Sequence, residues 1–146
     1  GVGCDASPVA IQRARRRAQQ VGSKARFSCL DVLRDPLPTG ADIVFSTLFL
    51  HHLSEDQAVN FLRRMADAAS RLVVELDLER TRQGYLLAYV GVRLLTTSDV
   101  ARFDGPASVR AAFTREEAQA LARSAGLDMV VRGGGLQRYS LTLSKS

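Results

Sequence analysis

At 146 residues the chain is long enough for one domain with a sizeable core and no more. Its 46% hydrophobic and 24% charged residues exclude a disordered or fibrous chain, and two cysteines without a CxxC pairing exclude a disulfide framework or a cysteine zinc site. The formal charge of +5 comes mostly from scattered arginines with few aromatics among them, and the densest group, Arg13, Arg15, Arg16 and Arg17, fits the solvated face of one helix better than a nucleic-acid patch.

Residues 2–5 read as a short strand closing on Asp5. Ser7 then caps a helix with Pro8 at its first position, where a missing N–H costs nothing. Ile11, Ala14, Ala18 and Val21 give its inner stripe and Gly22 its end. A second strand over residues 25–30 closes on Asp31, and the turn residues Asp35-Pro36-Leu37-Pro38-Thr39-Gly40 follow. Cys4 and Cys29, each near a strand end, are expected to be small buried residues. Residues 42–48 form a third strand, and Ser54 with Gln57 frames a capping box for a helix buried through Phe61, Leu62, Met65 and Ala69. Residues 72–78 make a fourth strand, whose Val73-Val74 core implies burial on both faces.

Residues 82–96 read as a strongly apolar helix and residues 97–112 mostly as loop. A second capping box at Thr114 and Glu117 opens a helix with Ala118, Leu121, Ala122 and Ala125 facing inward, stopped by Gly126. Residues 127–132 and 137–143 form a closing hairpin through Gly133-Gly134-Gly135. The longest apolar stretch, residues 85–95, is interrupted by Gly91 and Arg93. It falls short of the roughly 20 residues a membrane span needs. With no signal-peptide pattern visible, the expected location is cytoplasmic.

Alternating strands and helices predict an α/β fold: a mostly parallel sheet with helices on both faces and one antiparallel strand at the end. Ligands of such sheets bind beyond the carboxyl ends of the strands. Asp5 stands there, suited to accept hydrogen bonds from both ribose hydroxyls of a nucleotide, or simply to cap the approach to Ser7. Asp31 closes the next strand. Its carboxylate suits the exocyclic amine of an adenine, with Leu30 and Val32 against the base, or a local turn. The third strand runs out through Ser46-Thr47-Leu48-Phe49-Leu50-His51-His52-Leu53. Adjacent histidines point in different directions, and no third ligand lies at useful spacing, so no metal site is expected. His51 is a candidate general base, because an unperturbed imidazole titrates near neutral pH, or a histidine that only lines the pocket.

In this order and spacing the pieces resemble class I S-adenosylmethionine-dependent methyltransferases, especially the small-molecule enzymes of ubiquinone and menaquinone biosynthesis. The resemblance rests on Val2-Gly3-Cys4-Asp5-Ala6-Ser7-Pro8, on Asp31-Val32 ahead of Pro36-Leu37-Pro38, on Ala41-Asp42-Ile43-Val44-Phe45 with Leu50-His51-His52-Leu53, and on Phe113-Thr114 with Ala125-Gly126-Leu127. It implies a Rossmann-like three-layer sandwich and S-adenosylmethionine as cofactor. By this resemblance Asp5, with Ala6 beside it, matches the acid that holds the cofactor ribose. Asp31 and Val32 match the pair that reads adenine, and Ser46 and Thr47 match positions lining the methionine portion.

The same resemblance implies an N-terminally incomplete domain. The family's first strand and glycine-rich loop come before the strand matched by residues 1–5. That first strand lies centrally in the sheet, between the strands matched by residues 1–5 and 42–48. Residues 1–146 are therefore expected to form a single, partial methyltransferase domain, with residues 80–112 as an apolar cover or substrate segment within it.

The expected function is transfer of a methyl group from S-adenosylmethionine to a small aromatic or lipophilic acceptor. Displacement at a sulfonium methyl needs alignment above all; a phenol or enol acceptor would also gain from His51 as base. Tyr85 and Tyr89 are expected to meet the acceptor, in company with Leu86, Val90, Leu94, Leu95 and the run Arg102-Phe103-Asp104-Gly105, or else the helix is simply a buried packing element. Two other readings stand beside this one: a nucleic-acid or protein methyltransferase, and a non-catalytic fragment or cofactor-binding module.

Overall fold

The computed structural model describes residues 1–95, 97–135 and 137–145. They form two compact units, Gly1–Thr39 and Gly40–Ser146.

The first unit is β1 (Val2–Asp5), α1 (Pro8–Gln20) and β2 (Arg26–Cys29). Ser7 caps α1 as its sequence predicts: its Oγ accepts the Ala10 N–H at 3.3 Å, with Pro8 in the first turn. Gly22 ends it in the left-handed region, at φ 66°. Ile11 and Ala18 are buried beneath the helix. Val21 leaves the predicted stripe; as the C-cap its backbone is no longer helical, and its side chain is 60% exposed. The strands pair in parallel from Val2 opposite Arg26 to Asp5 opposite Cys29. Arg15 Nη2 donates to the Phe27 carbonyl at 2.7 Å, tying helix to strand. The cysteines depart from expectation: Cys4 is half-buried and Cys29 exposed. Side chains alternate between the faces of a strand, and two strands with one helix cannot enclose both.

The second unit is β3 (Ala41–Thr47), a 3₁₀ turn (Leu50–His52), α2 (Glu55–Ala68), β4 (Ala69–Leu78), α3 (Arg82–Leu95), α4 (Asp99–Ala111), α5 (Arg115–Ser124), β5 (Val130–Gly134) and β6 (Arg138–Ser144). The sheet order is β3-β4-β6-β5. β3 and β4 run parallel, as strands linked through a helix do, and β6 runs antiparallel to both β4 and β5. Both capping boxes form, at Ser54 with Gln57 and at Thr114 with Glu117. The core joins Ala58, Phe61, Leu62 and Met65 of α2, Ala118, Leu121 and Ala122 of α5, and Val73 and Leu141 of the sheet.

The segment read as loop contains α4 instead. Gly105 and Pro106 suggest a break, but tertiary packing overrides that propensity. The glycine permits a close approach to α3: a Cβ at Gly105 would lie 2.9 Å from Val92 Cγ1. Thr96, the expected end of the preceding helix, lies outside the described residues. No described helix is long and apolar enough to cross a membrane. Among the described residues β1 pairs with β2 alone and β3 with β4 alone.

Burial sets an expectation for stability. Leu62 is fully buried and Leu87 is 63% exposed. Leu62→Ala should cost about 2–5 kcal/mol, whereas Leu87→Ala should stay within about 0.5 kcal/mol. Chemical denaturation of the two variants checks this contrast.

Candidate functional site

The parallel pairing of β1 and β2 brings two acids to one edge. Asp5 ends β1, Asp31 follows β2 by two residues, and the Leu30 N–H donates to the Asp5 carbonyl at 3.1 Å, carrying the ladder past Cys29. Asp5 is exposed. Its Oδ1 accepts the Ser7 N–H at 2.7 Å, so it does cap the approach to α1. Among the described residues no partner engages its other oxygen. Asp31 is half-buried and makes a local turn: its Oδ1 accepts the Leu33 N–H at 2.9 Å, and its Oδ2 lies 3.6 Å from Arg34 Nε. Ala6 is exposed and Val32 half-buried beside their respective acids.

In the second unit, Ser46 and Thr47 end β3, Ser46 half-buried and Thr47 exposed. The next residue, Leu48, has φ 55°, a left-handed conformation that costs a branched side chain energy and persists only where its surroundings over-determine it. Beyond it His51 is buried, with 6% of its surface exposed. Asp77, fully buried on β4, holds it twice: Oδ2 accepts the His51 backbone N–H at 2.8 Å, and Oδ1 lies 2.6 Å from Nδ1. The Leu78 N–H also reaches Asp77 Oδ1, at 2.7 Å. This contact engages Nδ1 and leaves Nε2 as the ring nitrogen not turned to Asp77.

Glu75 lies on the same face of β4, fully buried. Among the described residues neither of its carboxyl oxygens completes a hydrogen bond. Burial pushes its pKa from 4.5 up to about 8; the Ser46 hydroxyl pulls against that rise, Asp77 adds to it, and the Leu50 N–H opposes it. Across the ladder from Asp77 stands Tyr139 of β6, its hydroxyl also buried without a partner. Burial, and then the nearby Asp77 and Glu75, push that phenol's pKa up.

A cleft of about 500 Å³ opens over His51. Leu48, His52 and Leu78 share its floor, and its wall is Ala88 and Val92 of α3 with Gly105, Ser108 and Val109 of α4. Tyr85 and Tyr89 are not among these lining residues. They stack on each other with ring centroids 6.2 Å apart, and the Arg93 guanidinium sits 3.5 Å over the Tyr89 ring. Leu86 and Val90 are exposed on the same helix. Phe103 is exposed, and the side chains of Leu94, Leu95, Arg102 and Asp104 lie outside the described residues.

Residues 1–71 match the family described as "Methyltransferase domain". Solved structures of similar fold include an O-methyltransferase family 2 protein from Planctomyces limnophilus in complex with apigenin, with a TM-score of 0.70 and 17% identity over 100% of this chain and 42% of that one. They also include magnesium protoporphyrin IX methyltransferase from Synechocystis with bound SAH, with a TM-score of 0.66 and 17% identity over 99% of this chain and 64% of that one. A third is the O-methyltransferase NcsB1 from neocarzinostatin biosynthesis, in complex with S-adenosylmethionine and 2-hydroxy-5-methyl naphthoic acid. It has a TM-score of 0.66 and 22% identity over 100% of this chain and 41% of that one. The chain carries the fold of the class I S-adenosylmethionine-dependent methyltransferases. It spans less than half the length of the first and third of these proteins. No curated protein sequence matches it.

Within this methyltransferase fold, the sequence reading found the strand ends and missed what lies beneath them. Asp77, Glu75 and the wall from α4 were not anticipated. One signal was there: two acids in the middle of an apolar strand, flanked by valines and leucines, are either solvent-facing or buried for a reason.

Because Glu75 binds its proton more tightly folded than unfolded, the unfolded state loses that proton first as pH rises. Stability should therefore fall between pH 4.5 and about 8 and level off above, when both states are ionised. The contribution approaches about 1.4 kcal/mol per pH unit within that window. Glu75→Gln should flatten this decline, as read from thermal melts across the window.

Proposed function

We propose that the protein transfers a methyl group from S-adenosylmethionine to the hydroxyl of a small aromatic acceptor, with His51 as general base. The observation that carries this reading is the His51–Asp77 pair at the floor of an apolar cleft: Nδ1 is committed to Asp77, which leaves Nε2 to accept a proton. Structures similar in fold hold apigenin in one case and a hydroxylated naphthoic acid in another, and an apolar cleft of this size suits molecules of that class.

The exposed carboxylate of Asp5, with one oxygen unclaimed among the described residues, has the chemistry to accept a ribose hydroxyl. Asp31, with Val32 beside it, is proposed to read the adenine edge, Ala6 to border the ribose, and Ser46 and Thr47 to line the methionyl part. When bound, S-adenosylmethionine supplies an electrophilic methyl group on a sulfonium. His51 Nε2 would take the proton of the acceptor's hydroxyl as that oxygen gained the methyl group, whose bond to sulfur would break and leave a neutral thioether. Asp77 holds the imidazole ring in one orientation and balances the positive charge that the ring then gains. The apolar residues of α3 and α4 exclude water and orient the acceptor's ring. Tyr85 and Tyr89 are proposed to border the approach to the cleft along α3.

Two variants test the two parts of this proposal separately. His51→Gln should lower kcat for phenolic acceptors by about 10²–10⁴-fold while leaving calorimetric affinity for S-adenosylmethionine unchanged. Asp5→Ala should weaken that affinity by about ten- to a hundredfold, the worth of a charge-assisted hydrogen bond. Undiminished turnover in His51→Gln would remove the base; unchanged affinity in Asp5→Ala would remove the ribose contact.

A further inference from the structure

The helical wall of the cleft over His51 carries one polar side chain that the proposed reaction does not use. Ala88 and Val92 of α3 and Gly105, Ser108 and Val109 of α4 face the cleft. Their spacings of three and four residues put each set on one side of its helix. A Cβ at Gly105 would lie 2.9 Å from Val92 Cγ1, so the glycine lets the two helices close into one surface. That surface is apolar except at Ser108, which is half-buried. The Ser108 carbonyl accepts the Ala112 N–H at 2.9 Å, as its place in the helix requires. Its hydroxyl has no hydrogen-bond partner among the described residues. A serine inside a helix commonly turns its hydroxyl back on the carbonyl one turn earlier. This one is left for whatever fills the cleft.

We propose that Ser108 is a specificity-determining residue that binds a second, neutral polar substituent of the acceptor, across the ring from the hydroxyl that reacts. This rests on the methyl-transfer reading of the cleft and narrows its substrate class: an aromatic that carries two hydroxyls, or a hydroxyl and a carbonyl, and no charged group. A serine hydroxyl both donates and accepts, so either substituent satisfies it. The exclusion of charge comes from the rest of the lining, which holds no lysine, arginine, aspartate or glutamate; the imidazoles of His51 and His52 are its only ionisable groups. Arg110, two residues further along α4, is exposed and does not line the cleft. A carboxylate turned toward this wall would lose its water and gain no cation.

Selection of this kind works through a penalty on the wrong ligand. Solvent satisfies a hydroxyl that faces an open cleft, and a ligand that displaces the solvent must replace its hydrogen bond. An acceptor that offers only C–H at this point leaves the Ser108 hydroxyl unpaired in apolar surroundings, a loss of about tenfold in affinity. An apolar wall alone discriminates poorly between a ring and its hydroxylated analogue, whereas a wall with one hydrogen-bonding group favours the analogue.

The test compares matched probes on one ring system: 2-naphthol, the dihydroxynaphthalene isomers and a hydroxynaphthoate. Calorimetric Kd and methyl-transfer kcat/KM are measured for each in the wild type and in Ser108→Ala, whose alanine suits a helix better than serine and so keeps the fold. In the wild type at least one diol should exceed 2-naphthol by about tenfold in affinity and in kcat/KM, mainly through KM. The hydroxynaphthoate should fall below that diol. Ser108→Ala should weaken the favoured diol by about tenfold and leave 2-naphthol unchanged or improved, a crossing that a merely structural role would not produce. The proposal is overturned if no diol exceeds 2-naphthol, if the hydroxynaphthoate binds tightest, if Ser108→Ala weakens all probes alike, or if none of them binds. A preference for a diol that appears in Kd without any turnover upholds Ser108 and removes the methyl-transfer reading. Undiminished turnover in His51→Gln removes the base and leaves the role of Ser108 standing.

Discussion

A carboxylate removed from water is tolerable only where donors replace the solvent. Asp77 meets that condition with three: the backbone N–H and the Nδ1–H of His51, and the N–H of Leu78. Two of the three come from one residue, so the acid fixes both the main chain and the ring of His51. Short 3₁₀ turns have poor internal hydrogen-bond geometry and do not hold a side chain on their own. This one is held from outside, by β4 at the interior of its four-stranded sheet and by Leu50, which is fully buried. The floor of the cleft is thus joined to the most constrained strand of the unit.

Floor and wall of the cleft divide the work. The sheet and the turn supply the polar groups, with His51 and Asp77 buried and bonded to each other. The wall is a helical pair, α3 against α4, whose spacing depends on the missing side chain at Gly105. Nothing on that wall among the cleft-lining residues is charged, and Ser108 alone carries a hydroxyl. Under the proposed function, a scaffold of this kind would hold the polar groups still and leave the shape of the cleft to residues that can change without disturbing them.

Most of the architecture could be read from local signals. Ser7 with Pro8, the capping boxes at Ser54 and Thr114, and the glycines at 22 and 126 fix where helices begin and end through interactions within a few residues. The acids at the strand ends were legible for the same reason, since a strand's carboxyl end is a local property. What escaped was non-local. Asp77 matters because it lies 26 residues from His51, and periodicity carries no information about such a pairing. The alternation in β4 even misleads. Its acids face inward and Leu76 and Leu78 are only half-buried, the reverse of what hydrophobic patterning would assign. α4, in a segment read as loop, holds the poor helix formers Gly105 and Pro106, and the glycine serves packing against Val92.

The same inversion explains why a buried acid pair suits proton abstraction. Glu75 is neutral below about pH 8, so in the proposed transfer Asp77 is the acid that faces the His51 ring. When His51 takes a proton, the new cation lies 2.6 Å from that carboxylate, so the buried pair becomes neutral overall. Charge thus develops where its counter-charge is already oriented, and little reorganisation is needed at the moment of reaction. With an apolar residue at position 77 the identical step would create a lone buried cation, whose desolvation opposes protonation of a histidine.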